Sequence, residues 1–288
     1  MSYIYIYMII LVILMENKND KDSEEGMFVK VSRKSKLNLI NPDDDNNNNN
    51  NQNDEKTDTK DIIKKRESTF LWACQKNDLE SVKKIFSEGI DIDCCQDNLS
   101  AKCPIHIAAL NRNFELMKFL LENGAYPDAR DWNYGSNKIG GRTALHFICG
   151  GAWSDDYDTD DYDTDEDEDV YTDDYVDLTC ELIELLVEHG ANINAIDEGK
   201  NTPLKYSLSV GNPIIIKKLL DLGADPFIKR FGFSMIHYVC TNFINPKILY
   251  LLIDYGVDVS DVLLNKCDYN DNSKEIIKKY LQEKNNCI

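Results

Sequence analysis

Residues 202–224 read TPLKYSLSVGNPIIIKKLLDLGA. Thr202 caps a helix start through its hydroxyl, and Pro203 at the next position supplies a preset φ while needing no amide donor. Leu204 and the small Ser207 three residues on face inward, where close helix packing limits side-chain size. Leu219 and Leu220 set a second helix against its neighbours, and Gly223 ends that helix in a left-handed conformation costly for a residue with a β-carbon. Such a helix pair has an apolar face that it cannot bury alone.

Outward from this stretch the same pattern returns on both sides. It begins Ser68-Thr69-Phe70-Leu71-Trp72-Ala73, then Cys103-Pro104-Ile105-His106-Ile107-Ala108, then Thr143-Ala144-Leu145-His146-Phe147-Ile148, and, beyond the quoted copy, Ser234-Met235-Ile236-His237-Tyr238-Val239. Each start is followed by an apolar pair and a glycine: Ile85-Phe86 and Gly89, Leu120-Leu121 and Gly124, Leu185-Leu186 and Gly190, Leu219-Leu220 and Gly223, Leu251-Leu252 and Gly256. Motif end and glycine lie 16, 16, 42, 16 and 17 residues apart, so the third copy carries 26 extra residues in an otherwise constant unit. Gly190 to Gly223 and Gly223 to Gly256 are both steps of 33. Ala125, Ala191 and Ala224 follow their glycines, with Asn192-Ile193-Asn194 or Asp91-Ile92-Asp93 close behind.

This pattern resembles the ankyrin repeat, a unit of roughly 33 residues with a T-P-L-H-x-A signature. The resemblance covers about Arg66 to Ser260 and implies an all-α solenoid of helix–turn–helix units with projecting hairpin-like loops. Stacking then builds one continuous core from nearest-neighbour interfaces. The repeats are expected at about 66–96, 97–130, 131–196, 197–228 and 229–260, with capping helices in 261–288, from Asp261 to Asn265 and from Lys274 to Gln282. A bias to Asn, Ile, Lys and Tyr fits an AT-rich genome, of the kind in which ankyrin proteins of large DNA viruses and amoebae are found.

Three segments stand outside the pattern. Residues 1–15, MSYIYIYMIILVILM, are almost wholly apolar. As a helix they would span roughly 22 Å, short of a ~30 Å hydrocarbon core, and they lack the basic start and small-residue cleavage site of a secretory signal. They read as an appendage, with a membrane-tethered adaptor as the alternative. Residues 16–65 include Asp43-Asp44-Asp45 and six consecutive Asn, and cannot bury enough apolar surface to order, so they read as a disordered linker arm. Residues 154–177 hold 14 acidic side chains and no basic one. This insertion into the third repeat is expected to be disordered, either as a solvated spacer or as a docking strip for a basic protein surface. Asp156, Asp158 and Asp160 also match the start of a calcium loop, but Asp161 replaces its glycine and Asp167 its closing glutamate, so a cation-binding role is the remaining alternative.

The 288 residues carry 32 basic and 51 acidic side chains, a formal charge of −19, of which the insertion supplies all but −5. That field excludes a nucleic-acid binder, which needs positive charge to neutralise phosphates. Nine cysteines without paired CxxC spacing fit reduced thiols in a cytosol-like compartment rather than a zinc ribbon or a disulfide scaffold. Cys74, Cys149 and Cys240 recur at one inward position as small hydrophobes, whereas Cys94-Cys95 is expected to be more exposed. His106, His146 and His237 share one repeat position, each ordering its own turn, and no P-loop, GxSxG, HExxH or dinucleotide fingerprint is present. The resemblance therefore implies a non-enzymatic, cofactor-free, monomeric scaffold in the cytoplasm (the host's, for a viral protein) that grips a protein partner. Its candidate contacts are Trp132, Asn133, Tyr134, Lys138 and Arg142 in the long entry loop of the third copy, and the inner-helix positions Asn111 and Arg112.

Overall fold

The computed structural model describes residues 52–95, 100–133, 140–150, 172–229, 232–241, 245–263 and 271–286. The apolar start, most of the linker arm and residues 154–171 of the acidic insertion lie outside the described residues.

The helices come in pairs, as the repeat requires. The first pair is α1 (Gln52–Gln75) and α2 (Leu79–Ser87), the second α3 (Pro104–Leu110) and α4 (Phe114–Glu122). The third is α5 (Ala144–Cys149) and α6 (Asp173–Glu188), the fourth α7 (Pro203–Val210) and α8 (Pro213–Asp221), the fifth α9 (Met235–Thr241) and α10 (Pro246–Asp254). Two further helices, α11 (Ser260–Leu263) and α12 (Asp271–Asn286), close the array. A two-residue strand β1 (Ser100–Ala101) pairs antiparallel with β2 (Trp132–Asn133), Ser100 opposite Asn133 and Ala101 opposite Trp132.

Local chemistry sets each helix boundary. The second helices start on Asp or Asn: Asp78 accepts from Ser81 N, Asn113 from Leu116 N, Asn212 from Ile214 N and Asn245 from Lys247 N. Each thereby satisfies an orphan amide of the first turn. In the third pair, where the insertion intervenes, Thr172 takes this place and accepts from Tyr175 N. The five glycines that end the second helices all have φ between +82° and +96°. There the glycine amide and the next amide both turn back into the helix, as when Gly124 N reaches Leu121 O and Ala125 N reaches Leu120 O, so the last carbonyls are paired.

First helices stack as α1–α3–α5–α7, and second helices as α4–α6–α8–α10–α12. The seam between them is one continuous core containing Phe70, Ile105, Leu116, Leu145, Ile183, Leu204, Ile216 and Ile248 among others. Helix α12 caps it with a fully buried Ile277, and Tyr280 donates its hydroxyl proton to Asp254 at the end of α10.

Three expected boundaries move. The linker does not run to residue 65, because α1 already begins at Gln52. Its early residues, QNDEKTDTKD, are polar but contain no Gly or Pro, and extending an anchored helix costs little once its nucleus exists. The acidic insertion likewise stops before residue 177, because α6 starts at Asp173. Asp173 and Asp174 sit in its first turn, where negative charge suits the helix dipole, and Val176 is already buried. The capping helices span Ser260–Leu263 and Asp271–Asn286 rather than 261–265 and 274–282.

Candidate partner-binding surface

Neighbouring repeats are tied by bonds that recur at fixed positions. His106 accepts the Cys103 amide on Nδ1 (3.1 Å), so its Nε2–H is the donor to Ala129 O (2.7 Å). His146 repeats this with the Thr143 amide (3.0 Å) and Asn201 O (3.1 Å). Each imidazole closes its own helix start and also holds the next unit. Burial drives both rings down to a pKa of about 4, so they are neutral. The ring one position further along in the next repeat stacks on this column, Phe147 edge-on to His106 and Tyr206 edge-on to His146. In the fourth repeat Lys205 stands at the histidine position, and its ammonium lies over the Tyr238 ring, a cation–π contact in place of the ring–ring one. Trp72 heads the column with no described repeat before it and is 56% exposed.

A second ladder runs beside the first. The Asp or Asn four residues after each glycine accepts the amide two residues after the next glycine. Tyr126 N reaches Asp93 Oδ1 at 3.0 Å, Asn192 N reaches Asp128 Oδ1 at 3.0 Å, and Asp225 N reaches Asn194 Oδ1 at 2.8 Å. The following residue in the series is Phe227, which has no acceptor in its side chain and is exposed.

The projecting loops, or fingers, are clasped at their bases. In the third repeat Asp131 takes the Arg142 amide on Oδ1 (2.6 Å) and the guanidinium Nε and Nη2 on Oδ2 (3.0 and 2.8 Å). In the fourth, Asp197 holds the Asn201 amide (2.7 Å) and its side-chain NH2. Adjacent fingers are joined as well. The β1–β2 pair links the second to the third, while Glu198 N to Gly140 O (3.0 Å) and Arg130 Nη1 to Ile196 O (2.8 Å) link the third to the fourth. In the fifth, Arg230 and Phe233 occupy the clasp positions by sequence, and Phe233 is 61% exposed.

Against this geometry the seven candidate contacts separate. Trp132 and Asn133 form β2 on the finger edge. Tyr134 and Lys138 lie outside the described residues. Arg142 is not an exposed anchor: it is 9% exposed, clasps Asp131 and lies over the Phe147 ring. Arg112 is a strut between repeats, donating to Thr179 Oγ1 (2.7 Å) and Ile148 O (3.0 Å) and stacking on Tyr175. Asn111 donates to Asn77 Oδ1 (2.9 Å) and to carbonyls at the end of α1. The exposed Trp72, Phe227 and Phe233 were not singled out by the sequence, although each departs from its column: an end position, a lost acceptor and a lost clasp.

The cysteines also depart from expectation. Cys74, Cys149, Cys180 and Cys240 are buried free thiols, and so is Cys94, which was expected to be exposed. Burial pushes Cys74 and Cys149 up to about 12 and Cys240 to about 11. Cys95 and Cys103, by contrast, are joined by a disulfide, which corrects the expectation of uniformly reduced thiols. The chain brings their Cα atoms to 4.6 Å across the base of the second-repeat finger, a proximity that an eight-residue separation does not reveal. Among the described residues no group of three His, Cys, Asp or Glu side chains could hold a metal ion, and no helix is long and apolar enough to cross a membrane.

A family model described as ankyrin repeats in three copies matches residues 70–152, and one described as ankyrin repeats in many copies matches 180–220. An ankyrin repeat protein of Fowlpox virus is 27% identical over 226 residues, covering 74% of this chain and 55% of the viral protein. The human ankyrin repeat and MYND domain-containing protein 1 is 27% identical over 54% of this chain and 18% of its own length. The ankyrin repeat protein nuc-2 of Neurospora crassa is 26% identical over 67% of this chain and 18% of its own length. The chain thus spans about half of the viral relative and under a fifth of the other two.

Proposed function

Because this chain is a member of the ankyrin-repeat family, we propose that it is a non-enzymatic scaffold that grips a protein partner along its concave face and finger edge. Ankyrin repeats generally mediate protein–protein interaction. The observation that carries the reading is the continuity of the fingers. The third and fourth bases are clasped, and the described residues of the second, third and fourth fingers are hydrogen-bonded side by side, so these residues form a pre-organised strip. Rigidity of that kind lowers the ordering cost of association.

Trp132 and Asn133 on this strip, with Tyr134 and Lys138 in the same loop by sequence, are the proposed contacts, an aromatic and cationic set of the type that anchors interfaces. The acidic insertion steers a partner bearing a basic surface, and its contribution falls with salt. The protein acts as a monomer in the cytoplasm; the likeness to the Fowlpox virus protein favours a host cytoplasm.

Affinity capture from native lysate tests the reading. Trp132→Ala combined with Lys138→Ala is expected to abolish capture while leaving the melting temperature unchanged, since by sequence neither stands at the clasp positions 131 and 142. Undiminished capture by that double variant would overturn the finger site.

A further inference from the structure

We infer that the outward face of α1 is a docking surface for an acidic amphipathic helix of a protein partner, which lies on it where a preceding first helix would lie.

In each of the last three repeats a ring reaches back to the first helix before it. Phe147 meets His106, Tyr206 meets His146, and Tyr238 lies under the Lys205 ammonium. Trp72 stands at the same repeat position in α1, so its face is the one that a preceding helix would cover, and no described repeat precedes it. The opposite face is engaged. Phe70, Leu71 and Cys74 are fully buried in the core, and Arg66 donates to Glu88 O (3.1 Å) and Oε2 (3.0 Å) beside the end of α2. The array therefore holds α1 in place with its outward face already formed.

Helical spacing assembles that face. Ile62, Lys65, Thr69, Trp72 and Lys76 step alternately by three and four residues, so they line one stripe. Lys76 keeps the register although α1 ends at Gln75, because its amide closes on Trp72 O at 3.0 Å. All of them are exposed, Ile62 at 58% and Trp72 at 56%, and the stripe runs about 21 Å along the helix axis.

Its chemistry selects the occupant. Elsewhere in the column the preceding repeat brings an imidazole or an ammonium to the ring. Here Lys76 supplies the cation, 5.9 Å from the Trp72 ring centre, so the complement of this face is apolar cover with negative charge. Between Asp61 and Lys76 the chain has four basic and two acidic side chains, a positive island in a molecule of formal charge −19. Asp61 sits one turn before Lys65, at the far end from Trp72, and the Asp78 carboxylate beyond Lys76 is taken by Ser81 N and Oγ. A partner helix thus meets Ile62 and Trp72 with aliphatic or aromatic side chains. It meets Lys65 and Lys76, about 16 Å apart along the axis, with carboxylates three turns apart. Apolar cover excludes water and strengthens those ion pairs, whereas a basic helix faces both lysines as like charges. This surface is separate from the finger strip and goes beyond the partner reading above without resting on it.

The test uses the full chain with Trp132→Phe and Trp153→Phe, which leaves Trp72 as its one tryptophan. The probes are a synthetic helical peptide with leucines on one face flanked by glutamates, and its counterpart with lysines in place of the glutamates. Docking covers the indole, so the glutamate peptide should move Trp72 emission saturably to shorter wavelength. The lysine peptide should not, even where it binds the acidic insertion. Lys65→Glu with Lys76→Glu should reverse that preference. In the otherwise unaltered chain, Trp72→Ala should weaken binding of the labelled glutamate peptide about tenfold or more. No shift with the glutamate peptide, equal shifts with both peptides, a preference unchanged by the lysine reversal, or undiminished binding after Trp72→Ala would each overturn the proposal.

Discussion

Arg112 holds a left-handed backbone, with φ +48°, at the position before a second-helix cap where the equivalent residues are Asn77 and Gly211. A β-carbon there costs on the order of 1 kcal/mol, and the guanidinium offsets it through Thr179, Ile148 O and Tyr175. Arg112→Ala loses the bonds and keeps the strain, whereas Arg112→Gly loses the bonds and relieves it. The alanine variant is therefore expected to be less stable than the glycine variant by about 1 kcal/mol, measured by urea denaturation. The histidine column gives a second residue-scale prediction. Both rings titrate at about 4 when folded and at about 6.5 when unfolded, so the unfolded chain binds more protons between those values. Stability from this source is complete above pH 6.5 and is lost as pH falls towards 4, by up to about 3 kcal/mol per ring. Asp93 and Asp128, which burial holds above their ordinary range, act in the opposite sense in the carboxylate range. Denaturation midpoints at pH 7.5 and 5 should show the loss in the wild type and a smaller one in His146→Leu.

At the scale of the element, the third finger shows why a charged loop residue need not be a contact. Arg142→Ala leaves the Asp131 carboxylate buried without its cation, which costs about 3 kcal/mol, and Arg142→Lys does not restore the forked geometry. Thermal melts of the two variants should both fall well below the wild type. The helix pairs themselves were legible, because Thr-Pro starts, Leu-Leu pairs and positive-φ glycines are local signals whose physics needs no partner. Burial of Arg142 was not, since it depends on an aspartate eleven residues away that only a closed finger brings near. The strut made by Arg112 joins residues 67 apart in sequence, across the insertion, and no periodicity encodes it. The starts of α1 and α6 were masked by polar composition, which forecasts disorder for a segment on its own and ignores an adjoining anchored helix. The disulfide was hidden by cysteine arithmetic that counts spacings rather than loop ends.

For the whole molecule, cohesion is a sum of neighbour-to-neighbour bonds and is uneven along the array. The junctions from the first repeat to the fourth each have an amide seated on an Asp or Asn side chain. The fourth-to-fifth junction has Phe227 where that acceptor belongs, Arg230 and Phe233 where a clasp belongs, and Lys205 over Tyr238 instead of a buried histidine. The fifth repeat and α12 are retained by second-helix packing and by bonds such as Tyr255 to Asp221 and Tyr280 to Asp254. Opening should therefore begin at the C-terminal end and progress inward. Native-state hydrogen exchange of the full chain, resolved by peptide, tests this most directly. The account predicts the highest opening free energies in α4, α6 and α8 and distinctly lower ones in α9, α10 and α12. Equal protection across all five repeats, or a fifth repeat more protected than the third, would contradict it.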